Sequence, residues 1–193
     1  YNVWQYYQVT GDLEYLVEDG AEMLAEIARF WVSRAEFDEG KGRYVIRGVI
    51  GPDEFHSGYP DRPYDGVDNN AYTNVMAVWS IVRALDALDA MPLRDRLDLL
   101  ERLGIHGREL DQWDDVSRRM YVPFHAAPGP GPASDRGVIS QFEGYEDLAE
   151  LDWAGLRARH GNIQRLDRIL EADNDNVNRY QASKQADVLM LFY

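Results

Sequence analysis

Cysteine is absent from this 193-residue chain, which excludes a disulfide framework and thiolate chemistry. That absence fits a reducing compartment, so a cytoplasmic location is expected. No apolar run approaches the roughly 18 residues that cross a bilayer, and no signal-peptide pattern is visible. Cations are scarce: 20 Lys and Arg stand against 34 Asp and Glu, a formal net charge of −14. Phosphate backbones and anionic lipid surfaces are held by clustered Lys and Arg, so neither nucleic acid nor a membrane is expected as a partner. His56, His106, His125 and His160 lack metal-ligand spacing, so no metal site is expected. No Gly-rich stretch matches a nucleotide-binding pattern, and no cofactor is expected.

What is present is apolar and aromatic. Hydrophobic residues make up 45% of the chain, and 5 Trp, 12 Tyr and 6 Phe supply the rings. That is enough for one packed core. An aromatic-rich, acidic composition suits ring stacking on the apolar faces of pyranoses; it equally suits a large core that uses Tyr. The chain opens at Tyr1-Asn2-Val3-Trp4, without Met and already amphipathic. It closes in mid-pattern at Leu189-Met190-Leu191-Phe192-Tyr193. A fragment of a longer protein, cut at both ends, is the expectation.

The coarse pattern is helical. Leu13, Leu16, Val17, Gly20, Leu24, Ile27, Ala28 and Trp31 recur at three- and four-residue spacing, with Thr10 as the expected N-cap. A second helix is expected from Ala71 to Ala90, with Asp68 or Asn69 as its cap. A third is expected after Pro92, through Leu93, Leu97, Leu100 and Leu103. A fourth spans Glu109 to Met120, and a last, deeply buried one starts near Tyr180. Arg29 and Arg34 are read as charge compensation at a helix C-terminus. Arg43 to Ile50 alternates like a strand, and Val138 to Phe142 is a second extended piece. Ala126 to Pro132 is a turn-rich surface excursion. No domain boundary is visible. Helices joined by alternating short and long loops suggest an α/α toroid with the long loops, and a site, at one end.

The chemistry concentrates between Arg47 and Asn74. Gly51 and Pro52 place the acidic pair Asp53 and Glu54 in a bend. Cleaving a glycosidic bond requires an acid to protonate the leaving oxygen, and a Glu aimed into a cavity from such a bend suits that task. The same pair also reads as two solvated loop carboxylates. Phe55, His56 and Tyr59 lie close by in sequence. Asp68-Asn69-Asn70-Ala71-Tyr72-Thr73-Asn74 reads as helix capping, or as support for the acid loop. Lys184 and Gln185 open the last apolar stretch. A buried Lys there requires a partner, either a carboxylate such as Asp187 or a bound polar ligand.

Taken together these motifs resemble family 65 of the glycoside hydrolases, which holds inverting disaccharide phosphorylases and acid trehalases. Four segments carry the resemblance along nearly the whole chain. They are Ala28-Arg29-Phe30-Trp31 with Ser33-Arg34; Gly51-Pro52-Asp53-Glu54-Phe55-His56 with Asn69-Asn70-Ala71-Tyr72-Thr73-Asn74; Ile139-Ser140-Gln141-Phe142-Glu143-Gly144-Tyr145; and Lys184-Gln185-Ala186-Asp187-Val188. The resemblance implies an all-α fold, part of one (α/α)6 barrel with short hairpin-like pieces in its loops. It implies Glu54 as general acid and Lys184 and Gln185 as ligands of the donor glucose. Asp53, His56, Asn69 and Asn70 would support them.

In such phosphorylases inorganic phosphate, a co-substrate rather than a cofactor, attacks the anomeric carbon and releases β-glucose 1-phosphate. The implied partners are a small α-linked disaccharide and phosphate, with a homodimer as the oligomeric form common among such enzymes. Two features depart from the family. Its phosphate-gripping loop lies beyond Tyr193, and a donor-glucose segment lies before Tyr1. The link from His56 to Asn69 is also longer than usual, carrying Gly58-Tyr59-Pro60-Asp61-Arg62-Pro63-Tyr64 beside the acid. An inverting hydrolase and a non-catalytic carbohydrate-binding fragment are the alternatives.

Overall fold

The structure, a computed structural model, describes residues 1–126 and 137–192. Beyond Ala126, the Pro- and Gly-rich run expected up to Pro132 lies outside the described residues. The chain forms two compact units. One comprises Tyr1–Val45 and Asn74–Tyr121, the other Ile46–Thr73 and Val122–Tyr193.

The first unit is helical. Helix α1 (Asn2–Thr10) precedes α2 (Leu13–Tyr15), a π-helical turn (Leu16–Gly20) and α3 (Ala21–Arg34). The expected N-cap at Thr10 is corrected: Asp12 does the capping, accepting from Tyr15 N at 3.0 Å. Thr10 instead ends α1, its hydroxyl donating back to the Tyr6 carbonyl at 2.7 Å. Gly11 (φ 65°) closes that helix in the left-handed region where glycine carries no Cβ penalty. In α3, Ala21, Leu24, Ala25, Ala28 and Val32 are buried at helical spacing.

Helix α4 (Ala71–Ala90) has the expected bounds, but a different cap. Asn70 Oδ1 accepts from both N–H and O–H of Thr73 at 2.9 Å. Asp68 is occupied elsewhere, accepting from Gly48 N and Arg62, and Asn69 adopts φ 50°. Helices α5 (Leu93–Leu103) and α6 (Gly107–Arg119) form where expected, with Pro92 at the N-cap position of α5 rather than in its first turn and α6 starting two residues before Glu109. Arg29 does more than compensate a helix end. Its guanidinium donates to Glu109 at 2.6 Å and to the Leu103 carbonyl at 2.8 Å, tying α3 to the α5–α6 connection.

Between α3 and α4 runs a hairpin, β1 (Glu36–Asp38) with β2 (Arg43–Val45), pairing Glu36 with Val45. The strand expected up to Ile50 therefore stops at Val45. Asn69 takes over both backbone groups of Ile46, Oδ1 accepting at 3.1 Å and N–H donating at 2.8 Å, and Gly48 (φ 65°) bends the chain away.

The second unit holds loops and short elements around two apolar clusters. Leu151, Leu156, Leu166, Leu170, Val177 and Ala182 form one, joining α7 (Trp153–His160) to α8 (Leu166–Ala172), with Phe55 packed against it. Val67, Phe142 and Leu148 form the other, flanked by Tyr59 and Tyr145. Strands β3 (Phe124–Ala126) and β4 (Gly137–Ile139) pair antiparallel, so the extended piece expected from Val138 starts one residue earlier and ends at Ile139.

The helix expected from Tyr180 does not form. The chain is extended at Tyr180 and turns into a 3-10 helix only at Asp187–Phe192. The backbone N–H groups of Lys184 and Gln185, which a helix would use internally, are taken by the Asp53 carboxylate. Nor is the stretch deeply buried, since Leu189 is 61% exposed.

Candidate active site

All seven residues expected at a site fall in the second unit. After the bend at Gly51-Pro52 the side chains alternate: Asp53 is buried, Glu54 exposed, Phe55 half-buried and His56 buried. Phe55 is anchored in the leucine cluster and His56 sits edge-on to the rings of Phe142 and Tyr145. Glu54 is thus presented outward by neighbours that are fixed inward.

Asp53 is the hub. Its Oδ1 accepts from Lys184 N (2.9 Å), Gln185 N (3.3 Å) and Phe55 N (3.3 Å). Its Oδ2 lies 3.1 Å from His56 Nδ1 and 3.4 Å from Gln141 Nε2. Burial by itself would push this carboxyl up. The His56 hydrogen bond and the three backbone N–H groups outweigh burial and hold it below the usual carboxylate range.

The hub brings the acid turn and the Lys-Gln segment together. Glu54 N donates to Gln185 Oε1 at 3.3 Å, and Lys184 Nζ forms an ion pair with Glu54 Oε2. The Glu54 and Lys184 side chains are 65% and 48% exposed, so both remain reachable from solvent. The expected partnership of Lys184 with Asp187 is corrected: the carboxylate beside Lys184 is Glu54, while Asp187 faces Asn70.

Asn70 and Asn69 support the site differently. Asn70 Nδ2 donates to Asp187 Oδ2 at 2.9 Å while its other end caps α4. A Cβ at Gly51 would stand 2.4 Å from Asn70 Nδ2 and 2.6 Å from Asp187 Oδ2, so the acid bend packs its bare backbone on that contact. Asn69 works further back, holding Ile46 and donating to Glu143 at 2.7 Å. Asp187 is fully buried, and burial, opposed by the Asn70 hydrogen bond and reinforced by the Asp53 charge, raises its carboxyl above the usual range.

Sequence reasoning assigned no role to Gln141, which bridges Asp53 Oδ2 and the Gln185 carbonyl (3.1 Å). The signal available was its place in one of the four matching segments. The excursion Gly58 to Tyr64 is folded as well. Tyr59 and Arg62 bond reciprocally through their backbones, and Arg62 covers the Tyr59 ring at 4.4 Å. The Tyr59 hydroxyl donates to the Glu143 carbonyl at 2.7 Å and accepts from Asp68 N at 3.1 Å. Among the described residues, no three His, Asp or Glu side chains are arranged to hold a metal ion, and no helix is long and apolar enough to cross a membrane.

The arrangement is an exposed carboxyl braced beside a lysine and a glutamine on a buried polar hub, groups able to hydrogen-bond a polar ligand. The chain belongs to glycosyl hydrolase family 65: residues 1–193 match the family's central catalytic domain. It is 68% identical over its whole length to an uncharacterized glycosyl hydrolase of Mycobacterium tuberculosis, of which it spans 14%. It is 35% identical to the trehalose 6-phosphate phosphorylase of Lactococcus lactis and 36% identical to the kojibiose phosphorylase of Halothermothrix orenii. All of this chain aligns with each, covering 22% of their lengths. A solved structure named "Putative kojibiose phosphorylase from human microbiome" superposes with a TM-score of 0.76 at 25% identity, over 98% of this chain and 23% of the other.

Proposed function

We propose that this chain carries the acid and donor-sugar residues of an inverting phosphorylase acting on an α-glucosidic disaccharide, and that it forms part of one (α/α)6 barrel domain. The observation that carries the reading is the meeting of Glu54 with Lys184 and Gln185 across the Asp53 hub. Lys184 and Gln185 hold the donor glucose through its hydroxyls. Phosphate attacks the anomeric carbon from the face opposite the leaving group. As the C1–O bond breaks, Glu54 passes its proton to the bridging oxygen. The products are β-glucose 1-phosphate and a free sugar, and Glu54 is left as a carboxylate to be reprotonated. Phosphate is already an anionic nucleophile, so one protein carboxyl suffices.

Lys184 Nζ pairs with Glu54 Oε2, the carboxyl assigned here as the proton donor. An ammonium cannot keep donating to the oxygen from which the proton is delivered, so the donor sugar must draw Lys184 onto its hydroxyls. The folded excursion from Gly58 to Tyr64, with Tyr64 84% exposed, lies in sequence just after the acid and is assigned to the acceptor side. The name of the mycobacterial relative supports a second reading, in which water replaces phosphate and a further carboxylate acts as base.

The test is turnover of kojibiose, maltose, trehalose and trehalose 6-phosphate by the full-length protein with and without phosphate. Phosphate-dependent release of β-glucose 1-phosphate is the expected result. Glucose release independent of phosphate would establish the hydrolase instead.

A further inference from the structure

His56 is placed between two acceptors. Its Nδ1 lies 3.1 Å from Asp53 Oδ2 and its Nε2 lies 3.1 Å from the Tyr180 carbonyl oxygen. The ring is 2% exposed, so water does not substitute for either partner. A backbone carbonyl only accepts, so Nε2 must carry a proton. On the other side, Asp53 already receives three backbone N–H groups on Oδ1 and an amide N–H from Gln141 on Oδ2. A carboxyl surrounded by donors in this way is a carboxylate, so Nδ1 must carry a proton too. Neutral imidazole has only one N–H to give.

We infer that His56 is held as an imidazolium in the folded protein, and that this buried cation is a positioning residue for Glu54. The cation balances Asp53 and pins the acid turn to the Tyr180 carbonyl, four residues before Lys184. It therefore sets the spacing between the proton donor and the two donor-sugar residues. The inference deepens the proposed function and rests on Glu54 acting there, but the charge state stands without it. Asp187 from the C-terminal segment and Tyr145 from the Tyr145–Asp147 turn face the His56–Asp53 pair, with Glu54 and Lys184 at its outer edge. The depressed Asp53 carboxyl is consistent with the ionised pair, since the His56 bond is the largest of the influences lowering it.

The test uses the full-length protein labelled with 15N-histidine, the His56 signals being assigned by their loss in His56→Gln. Both His56 ring nitrogens are expected to carry protons, as their two acceptors require. A ring with one protonated nitrogen at about pH 7 would overturn the inference, whatever reaction the protein performs. In kinetics, His56→Gln is expected to lower kcat for the glucoside by about 100-fold, with a smaller change in KM, since a misplaced acid costs turnover more than binding. Unchanged kcat in that variant would overturn the positioning role, even with an imidazolium present. Because the spectroscopic readout needs no turnover, failure of the phosphorylase reading is distinguishable from failure of this one.

Discussion

The backbone N–H of Lys184 donates to Asp53 Oδ1 across 2.9 Å, joining two segments that lie 131 residues apart in sequence. Asp53 is only 3% exposed, so its bonds are made away from water. Replacing it by Asn keeps the shape but removes the charge facing His56. An amide there turns an N–H group towards the donors from which the carboxylate accepts, and a buried hydrogen bond lost in this way costs about 1 to 3 kcal/mol, so Asp53→Asn should lower the urea midpoint markedly. A midpoint equal to that of the unmodified protein would refute the hub.

The two buried carboxyls have opposite linkage. Asp53 is depressed in the fold, so its stabilisation is complete above the unfolded value of about 3.9 and disappears as pH falls through its folded value. Asp187 is raised, so its charged form is penalised in the fold above its folded value. The penalty fades as pH falls towards about 3.9. Urea midpoints measured from about pH 3 to about pH 7 should show the advantage of the unmodified protein over Asp53→Asn shrinking towards acid. Asp187→Asn should gain on the unmodified protein as pH rises above about 4. Parallel curves for either variant would contradict the assigned direction.

Gly51 has no room for a methyl group, because the space is filled by Asn70 Nδ2 and Asp187 Oδ2. Gly51→Ala should destabilise by about 1 to 3 kcal/mol, the usual cost of overpacking. It should also reduce turnover, since the displaced bend carries Glu54. Thermal unfolding together with steady-state kinetics checks both, and a variant with native Tm and kcat would show that the bend does not depend on this contact.

The Tyr59 hydroxyl joins the excursion after the acid to Glu143 and Asp68, and burial pushes it up to about 12. Tyr59→Phe leaves the Asp68 N–H and the Glu143 carbonyl without this partner, a loss of about 1 to 3 kcal/mol by denaturant unfolding. If the excursion shapes the acceptor side, the same variant should change KM for the acceptor in the reverse reaction more than KM for β-glucose 1-phosphate. A change confined to the glucose phosphate would place the excursion elsewhere.

Much of the helical part was legible because its cause is local. The periodic leucines after Pro92 and the run from Ala71 to Ala90 specify helices whatever surrounds them. The segment from Tyr180 onward reads as equally helical, yet a carboxylate remote in sequence captures its N–H groups. Periodicity carries no information about such a competitor. Thr10 and Asp12 illustrate a smaller ambiguity, since both are good N-caps and the preceding helix decides between them. Glu54, Lys184 and Gln185 were legible as motifs, but the residues that bring them together were less so. From its own residues Asp53 reads as one half of a solvated acid pair, its supporting role coming only from the resemblance, and Gln141 reads as part of a short extended piece. Their importance comes from the groups they face, which only the fold specifies.

In the proposed reaction the carboxyl of Glu54 delivers the proton to the bridging oxygen. Glu54→Gln keeps the side-chain shape and removes that proton. Turnover of the α-linked disaccharide by the full-length protein should fall by about 100- to 10,000-fold, the range general acid catalysis contributes, while binding of glucose is retained. Turnover of Glu54→Gln within a few-fold of the unmodified protein would contradict the account.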